Sequence, residues 1–233
     1  MIFFFLKWGL WYTIFIDVRG GFDMDLVAIR EFSRGVLEGD QTGHDWNHAL
    51  RVEKNVRKIM PPGVDEAELE VIRAACWLHD TIDEKLADDL RRTVEEVEML
   101  LIENGATQEQ TDEILDIIQN LSYSKNLETK KELTSAGQIV QDADRLDAIG
   151  AIGIGRAFYY GGSQGEAIYT DDDPRSLDEL TASTYRNGSS VLNHFYEKLL
   201  LLEEQMNTEP GKFEAKKRTN FMKDYLEQLA REI

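Results

Sequence analysis

His48, the adjacent pair His79 and Asp80, and Asp144 each fall in a segment with helical periodicity, beside positions that read as core. Two histidines and two aspartates make a mixed nitrogen and oxygen donor set. Such a set suits a borderline or hard divalent ion, with Mn²⁺ favoured and Mg²⁺, Co²⁺, Ni²⁺ and Fe²⁺ as alternatives. If the four serve one ion, three segments between positions 48 and 144 must converge on a point. That requirement favours one domain over two small ones. An ion with open coordination positions activates water, so phosphoester hydrolysis is the leading expectation.

The rest of the pattern is helical. Residues 25–38 place Leu26, Ile29, Phe32, Val36 and Leu37 on one side. Residues 45–60 carry Val52, Val56 and Ile59 on a stripe that ends at Pro61-Pro62-Gly63. Leu69, Ile72 and Cys76 stand at helical spacing over 65–80. Thr93 with Glu96, and Thr107 with Gln110, have the spacing of capping boxes, predicting helices to about Gly105 and Leu121. One long helix is expected from Ser135 to Tyr160, stopped at Gly161-Gly162. A polar loop over 163–178 and helices near 180–206 and 212–232 complete an all-α bundle. The small residues of Gly150–Gly155 lack the order of a dinucleotide fingerprint and a preceding strand, so they read as helix-packing positions.

Each site residue has a plainer reading beside the chemical one. His48 lies four residues after His44 and four before Val52, on one helix face, where a histidine is commonly a satisfied core residue. His44 reads either as a substrate-facing group or as part of the helix start with Asp45. Asp80 reads as a ligand, as a bridge to a second ion, or as the group that fixes an imidazole tautomer. Asp144 lies among Ile139, Val140, Ala148 and Ile149, where a buried carboxylate needs a partner. Asp147 shares its face and would orient a ligand or Arg145, whereas Asp142 is expected to be solvated. Arg145 reads equally as a salt-bridge partner and as a phosphate clamp. Cys76 reads as a small core residue.

Composition excludes some functions. The net charge is −18, from 44 acidic and 26 basic residues, so a general electrostatic grip on nucleic acid is not expected. The single cysteine rules out an intramolecular disulfide and fits a cytoplasmic protein. The opening stretch MIFFFLKWGLWYTIFI is apolar but shorter than the roughly 20 residues of a comfortable span. It also lacks a basic leader region and a small-residue cleavage site. Residues 1–23 are therefore read as an extension ahead of a start at Met24, with a packed segment or an anchor as alternatives. Residues 24–233 form the single domain, no membrane association is expected, and a homodimer is the assembly allowed for.

The order His…His-Asp…Asp, with flanks GHDWNHALRV (43–52), AACWLHDTIDEKL (74–86) and QDADRLDAIGAIGIGRAF (141–158), resembles the HD superfamily of metal-dependent phosphohydrolases. The resemblance runs from about Met24 to the end, and is to the small stand-alone bacterial branch. It implies an HD-type helical bundle with His48, His79, Asp80 and Asp144 as metal ligands. His48 takes that position because the family's ligand precedes an Arg-Val pair, here Arg51-Val52. It further implies Asp83 or Glu84 as the acid-base carboxylate. His44, Arg51, Lys85, Lys125 and Arg145 are candidates to bind a phosphorylated substrate. Some members of the branch hydrolyse nucleoside triphosphates to pyrophosphate, which makes a nucleotide the favoured substrate. A phosphodiesterase or phosphomonoesterase of the same fold, and a binding or signalling module without turnover, are the alternatives.

Overall fold

The computed structural model describes residues 24–40, 43–82, 88, 91–123, 131–176, 179 and 189–233, and among these there is no β-strand. The helices are α1 (Leu26–Leu37), α2 (Trp46–Ile59), α3 (Glu66–Leu78), α4 (Val94–Glu103), α5 (Gln108–Asn120), α6 (Ser135–Asp147), α7 (Gly150–Gln164), α8 (Val191–Glu197) and α9 (Glu209–Leu229), with a 3₁₀ turn at Leu199–Leu201. Most starts are chemically marked. Asp25, Asp45, Asp65, Thr134, Ser190 and Thr208 each accept a backbone N–H of the first turn. Both expected capping boxes form, at Thr93/Glu96 and Thr107/Gln110. No helix among the described residues is long and apolar enough to cross a membrane.

The centre of the bundle is α3. Val71, Ile72 and the run Ala74 to Leu78 are all buried, and α1, α2, α5 and α6 pack around them. Its last turn therefore ends inside the protein, which places His79 and Asp80 there. The largest helix-helix contact is between α2 and α6. Asn55 on α2 donates to the Ala143 carbonyl of α6 at 2.9 Å. Arg218 on α9 locks both, donating to Asn55 Oδ1 at 2.8 Å and to the Leu146 carbonyl at 2.5 Å. Phe158, Phe195 and Tyr225 bring α7, α8 and α9 together, with ring centroids 6.2–6.4 Å apart.

The long helix expected over 135–160 is two helices. Ala148 ends α6, Ile149 is extended (φ −124°, ψ 167°), and Gly150 takes φ +76°. A Cβ at Gly150 would be strained there and would stand 3.0 Å from Arg218 Cβ. Gly153 sits against the same corner, where a Cβ would lie 2.2 Å from the Ala148 carbonyl oxygen. These glycines thus build a corner, not an interhelical seam. The corner buries Ile149 and turns α7 onto α9, tertiary gains that outweigh helix continuity in a glycine-weakened stretch. The second helix runs past Gly161-Gly162 to Gln164 and stops at Gly165, in the left-handed region at φ +72°.

Two further expectations change. Asp142 is fully buried, not solvated. It accepts from the backbone N–H groups of Asn207 and Thr208 at 2.8 Å each and from the Thr208 hydroxyl at 2.7 Å, so it seats the start of α9. The helix expected near 180–206 is described only from residue 189. It is interrupted at Lys198 (φ −141°), where the 3₁₀ turn begins.

The corner predicts opposite outcomes for two nearby glycines. Gly155 has open space around its missing Cβ, so Gly155→Ala should stabilise the fold by about 0.5–1 kcal/mol. Gly153→Ala should destabilise it by roughly 1–3 kcal/mol, because backbone must shift. Urea unfolding of both variants checks this, and equal midpoints would contradict the corner.

Candidate metal centre

Three elements deliver the four residues. His48 lies in the first turn of α2, held by Asp45, whose carboxylate accepts the His48 N–H at 2.9 Å. His79 is the C-cap of α3 and Asp80 follows it, so the chain is leaving the helix as the pair projects. Asp144 comes from α6, the helix packed most closely on α2. His48 Nε2 lies 3.1 Å from His79 Nε2, 3.2 Å from Asp80 Oδ2 and 3.4 Å from Asp144 Oδ1. His79 Nε2 lies 3.2 Å from Asp80 Oδ2 and 3.8 Å from Asp144 Oδ1. Donor atoms at ordinary bond lengths of about 2.0–2.3 Å from one ion and at right angles stand roughly 3 Å apart. The residues present therefore fit a divalent ion.

The far sides of the imidazoles support the same reading. His79 Nδ1 faces the Cys76 carbonyl at 2.8 Å, and His48 Nδ1 faces Asp147 Oδ2 at 2.7 Å. Each acceptor keeps the Nδ1 proton in place and leaves Nε2 directed at the cluster. The group that fixes the His48 tautomer is thus Asp147, whereas Asp80 stands on the Nε2 side. Asp80 Oδ2 also lies 2.8 Å from His44 Nδ1. His44 is in the turn before α2, not on its helical face, and its backbone N–H donates to Asp40 at 2.9 Å. Two overlapping trios result: His44, His48 and Asp80, and His48, His79 and Asp144.

Charge in the cluster is strongly coupled. Burial by itself would lower the His48 pKa, but Asp144, Asp147 and Asp80 raise it well above the imidazole range. Burial is likewise overcome at His79, chiefly by Asp80. The carboxyls respond in the opposite sense. Burial would raise Asp80, yet His44 and His79 hold it well below the usual range, and His48 and His79 depress Asp144. Asp147 falls to about 2 against its own burial, through His48 and Arg51. Several carboxylates crowd two imidazoles in a site that calls for positive charge, which protons or a metal ion can supply. His48 has no exposed surface, but the Asp144 side chain is one-third exposed, so the cluster opens to solvent on the α6 side.

The sequence-derived substrate residues divide. Arg51 does reach the site, gripping Asp147 through Nε at 2.7 Å and Nη2 at 3.0 Å, and its side chain is one-third exposed. Arg145 is buried and its Nη1 donates to the Gln205 carbonyl. It ties α6 to the segment ahead of α9. Of the two roles the sequence allows it, Asp147 takes the orienting of a candidate ligand, His48. Asp83, Glu84, Lys85 and Lys125 lie outside the described residues. Arg156 on α7 was missed by sequence reasoning. It donates from Nη1 to Asp147 Oδ2 at 2.9 Å and from Nη2 to the Gly43 carbonyl at 2.9 Å. No periodicity marks it, because on one continuous helix it would stand about 13.5 Å along the axis from Asp147. Only the corner at Gly150 brings it back.

The HD domain family matches residues 45–149, a stretch that holds His48, His79, Asp80, Asp144 and Asp147 and leaves His44 and Arg156 just outside. The Bacillus subtilis protein YpgQ is 36% identical over 206 residues, covering 88% of this chain and 92% of YpgQ. The crystal structure of YpgQ in complex with ADP aligns with a TM-score of 0.70, over 89% of this chain and 94% of that one, at 36% identity. A Lactobacillus plantarum crystal structure aligns with a TM-score of 0.78 at 38% identity, over 89% and 95% of the two chains. An HD-superfamily hydrolase from Bacillus thuringiensis aligns at 0.67 and 34% identity, again over 89% and 95%. With His48, His79, Asp80 and Asp144 inside the matched stretch and the likeness extending over most of each relative, the chain belongs to the HD-domain family.

Proposed function

We propose that this protein is a metal-dependent phosphohydrolase of small phosphorylated compounds, with nucleoside-triphosphate pyrophosphohydrolysis as its favoured reaction. The observation that carries the reading is the convergence of His48 Nε2 and His79 Nε2, 3.1 Å apart, with one oxygen each of Asp80 and Asp144 lying 3.2–3.8 Å from both, open to solvent at Asp144. His48, His79, Asp80 and Asp144 would hold the ion, with Mn²⁺ favoured. When bound, it would supply Lewis acidity toward a phosphoryl oxygen and activate water.

The chain's own groups set the remaining chemistry. Asp147 and the Cys76 carbonyl hold the imidazoles with Nε2 facing inward. Arg51, partly exposed beside Asp147, is the described cation best placed to meet a phosphate, and its planar fork suits phosphate oxygens. His44 stands at the rim on Asp80 and would face the substrate. Asp83 or Glu84, three or four residues beyond Asp80, would move the proton, and Lys85 and Lys125 would add positive charge. Attack of water on the α-phosphorus of a nucleoside triphosphate forms one P–O bond and breaks the bond to the bridging oxygen, releasing pyrophosphate and a monophosphate. The ADP held by YpgQ supports a nucleotide over other phosphoesters. The free, buried Cys76 fits a cytoplasmic setting.

Two predictions test the reading. With Mn²⁺ and a nucleotide panel, the wild-type chain should release pyrophosphate. His79→Ala and Asp80→Ala should lose metal and activity together. Asp83→Asn or Glu84→Gln should keep the metal and slow turnover by about 10²–10⁴-fold. Metal content and turnover measured on the same preparations decide. A wild-type protein that holds metal but cleaves nothing in the panel would leave the binding-module alternative. Second, the charge of −18 predicts no tight, salt-sensitive binding of generic duplex DNA, which a fluorescence anisotropy titration at two salt concentrations checks.

A further inference from the structure

Arg156 makes two directed hydrogen bonds to different parts of the chain. One acceptor is Asp147 Oδ2, which also faces His48 Nδ1. The other is the Gly43 carbonyl, immediately ahead of His44. Gly43 has φ +96°, a conformation that glycine adopts without strain. From there the chain is fastened at every residue. His44 N–H donates to Asp40, its ring meets Asp80, and Asp45 caps α2 by accepting the His48 N–H.

The turn at 43–45 and the carboxylate behind His48 thus meet on one planar group. A guanidinium has fixed spacing between its nitrogens, so it fixes the separation of its two acceptors. Arg51 also grips Asp147, but it belongs to α2 itself and relates α2 only to α6. Arg156 alone among the described residues ties both Asp147 and the turn to α7. Its side chain is one-quarter exposed, so burial does not explain its placement.

Resting on the reading of the cluster as a metal centre, we propose that Arg156 is a positioning residue for that centre. It holds the His44 turn and Asp147 in register, so that Asp80 is shared between His44 and the His48–His79–Asp144 trio. It touches none of the four ligands in the described contacts and acts through Asp147 and Gly43.

The test uses the full chain with Arg156→Met, Arg156→Lys and, as a control, Arg57→Met. Arg57 pairs with Glu53 on the same helix and, among the described residues, makes no hydrogen bond or ion pair to the cluster. Mn²⁺ affinity is read from the free-ion EPR signal during titration, and thermal midpoints are read without metal. Arg156→Met should weaken Mn²⁺ binding about 10–100-fold, the usual effect of removing a group that orients ligands. Arg57→Met should leave affinity unchanged, whatever its midpoint. Lysine keeps the charge but cannot bridge two acceptors in a fixed fork, so Arg156→Lys should remain about 10-fold weaker than wild type. Affinity within about twofold of wild type in Arg156→Met, or full recovery in Arg156→Lys, overturns the role. Should Arg156→Met not fold, Arg156→Lys decides by itself. Wild-type protein that binds no Mn²⁺ overturns the metal-centre reading and this role with it, whereas wild-type binding with unaffected variants overturns the role of Arg156 alone.

Discussion

His48 has no surface in contact with solvent, so both nitrogens of its ring must be answered within the protein. Asp147 answers one of them, and that bond organises much of the structure around it. A buried carboxylate carries a desolvation cost that a single imidazole would offset poorly. Here Arg51 and Arg156 share it, and Asp147 stays ionised with a pKa near 2. The three partners come from α2 and α7, and Asp147 itself from α6. One carboxylate thereby fixes the mutual placement of three helices and the direction of a ring that faces the cluster.

The second dependence is geometric. For α7 to supply Arg156, the chain must turn sharply within about three residues of Asp147. Ile149 goes extended and is buried, Gly150 accepts positive φ, and Gly153 lets the new helix start against the Ala148 carbonyl. Arg218 of α9 fills the space beside Gly150 and donates to Leu146, so the corner is braced from outside. Asp142, earlier on α6, seats the first turn of α9. The helix that carries Asp144 is therefore held at both its neighbours, which keeps a part-exposed carboxylate in a defined place beside two buried imidazoles.

Much of the architecture is legible residue by residue. Capping residues and apolar stripes mark α1 to α5 because these signals are local: a Thr-x-x-Glu box or a Pro-Pro-Gly stop acts within one turn. The helix break at 148–150 is not legible, since the same Ala-Ile-Gly repeat is compatible with a continuous helix. The burial of Asp142 and Arg145 is not legible for a related reason. A charged residue in a polar stretch of helix reads as solvated or substrate-facing until the element that covers it is known. The partners that bury Asp142 and Arg145, Thr208 and Gln205, lie some 60 residues further on.

The sequence by itself determined an all-α bundle and the identity of the His and Asp set, because helix periodicity, caps and an ordered motif are properties of neighbouring residues. It also placed Asp147 on the face of Asp144, from a three-residue spacing. Only the tertiary structure decided what Asp147 holds, that Asp144 is the open side of the cluster, and that Arg156 belongs to the site. Those facts depend on where separate elements meet, and the approach of α7 to the turn ahead of α2 follows from the chain reversing at Gly150 and packing on α9. Distances across such a contact are set by the whole fold, so no spacing along the chain encodes them.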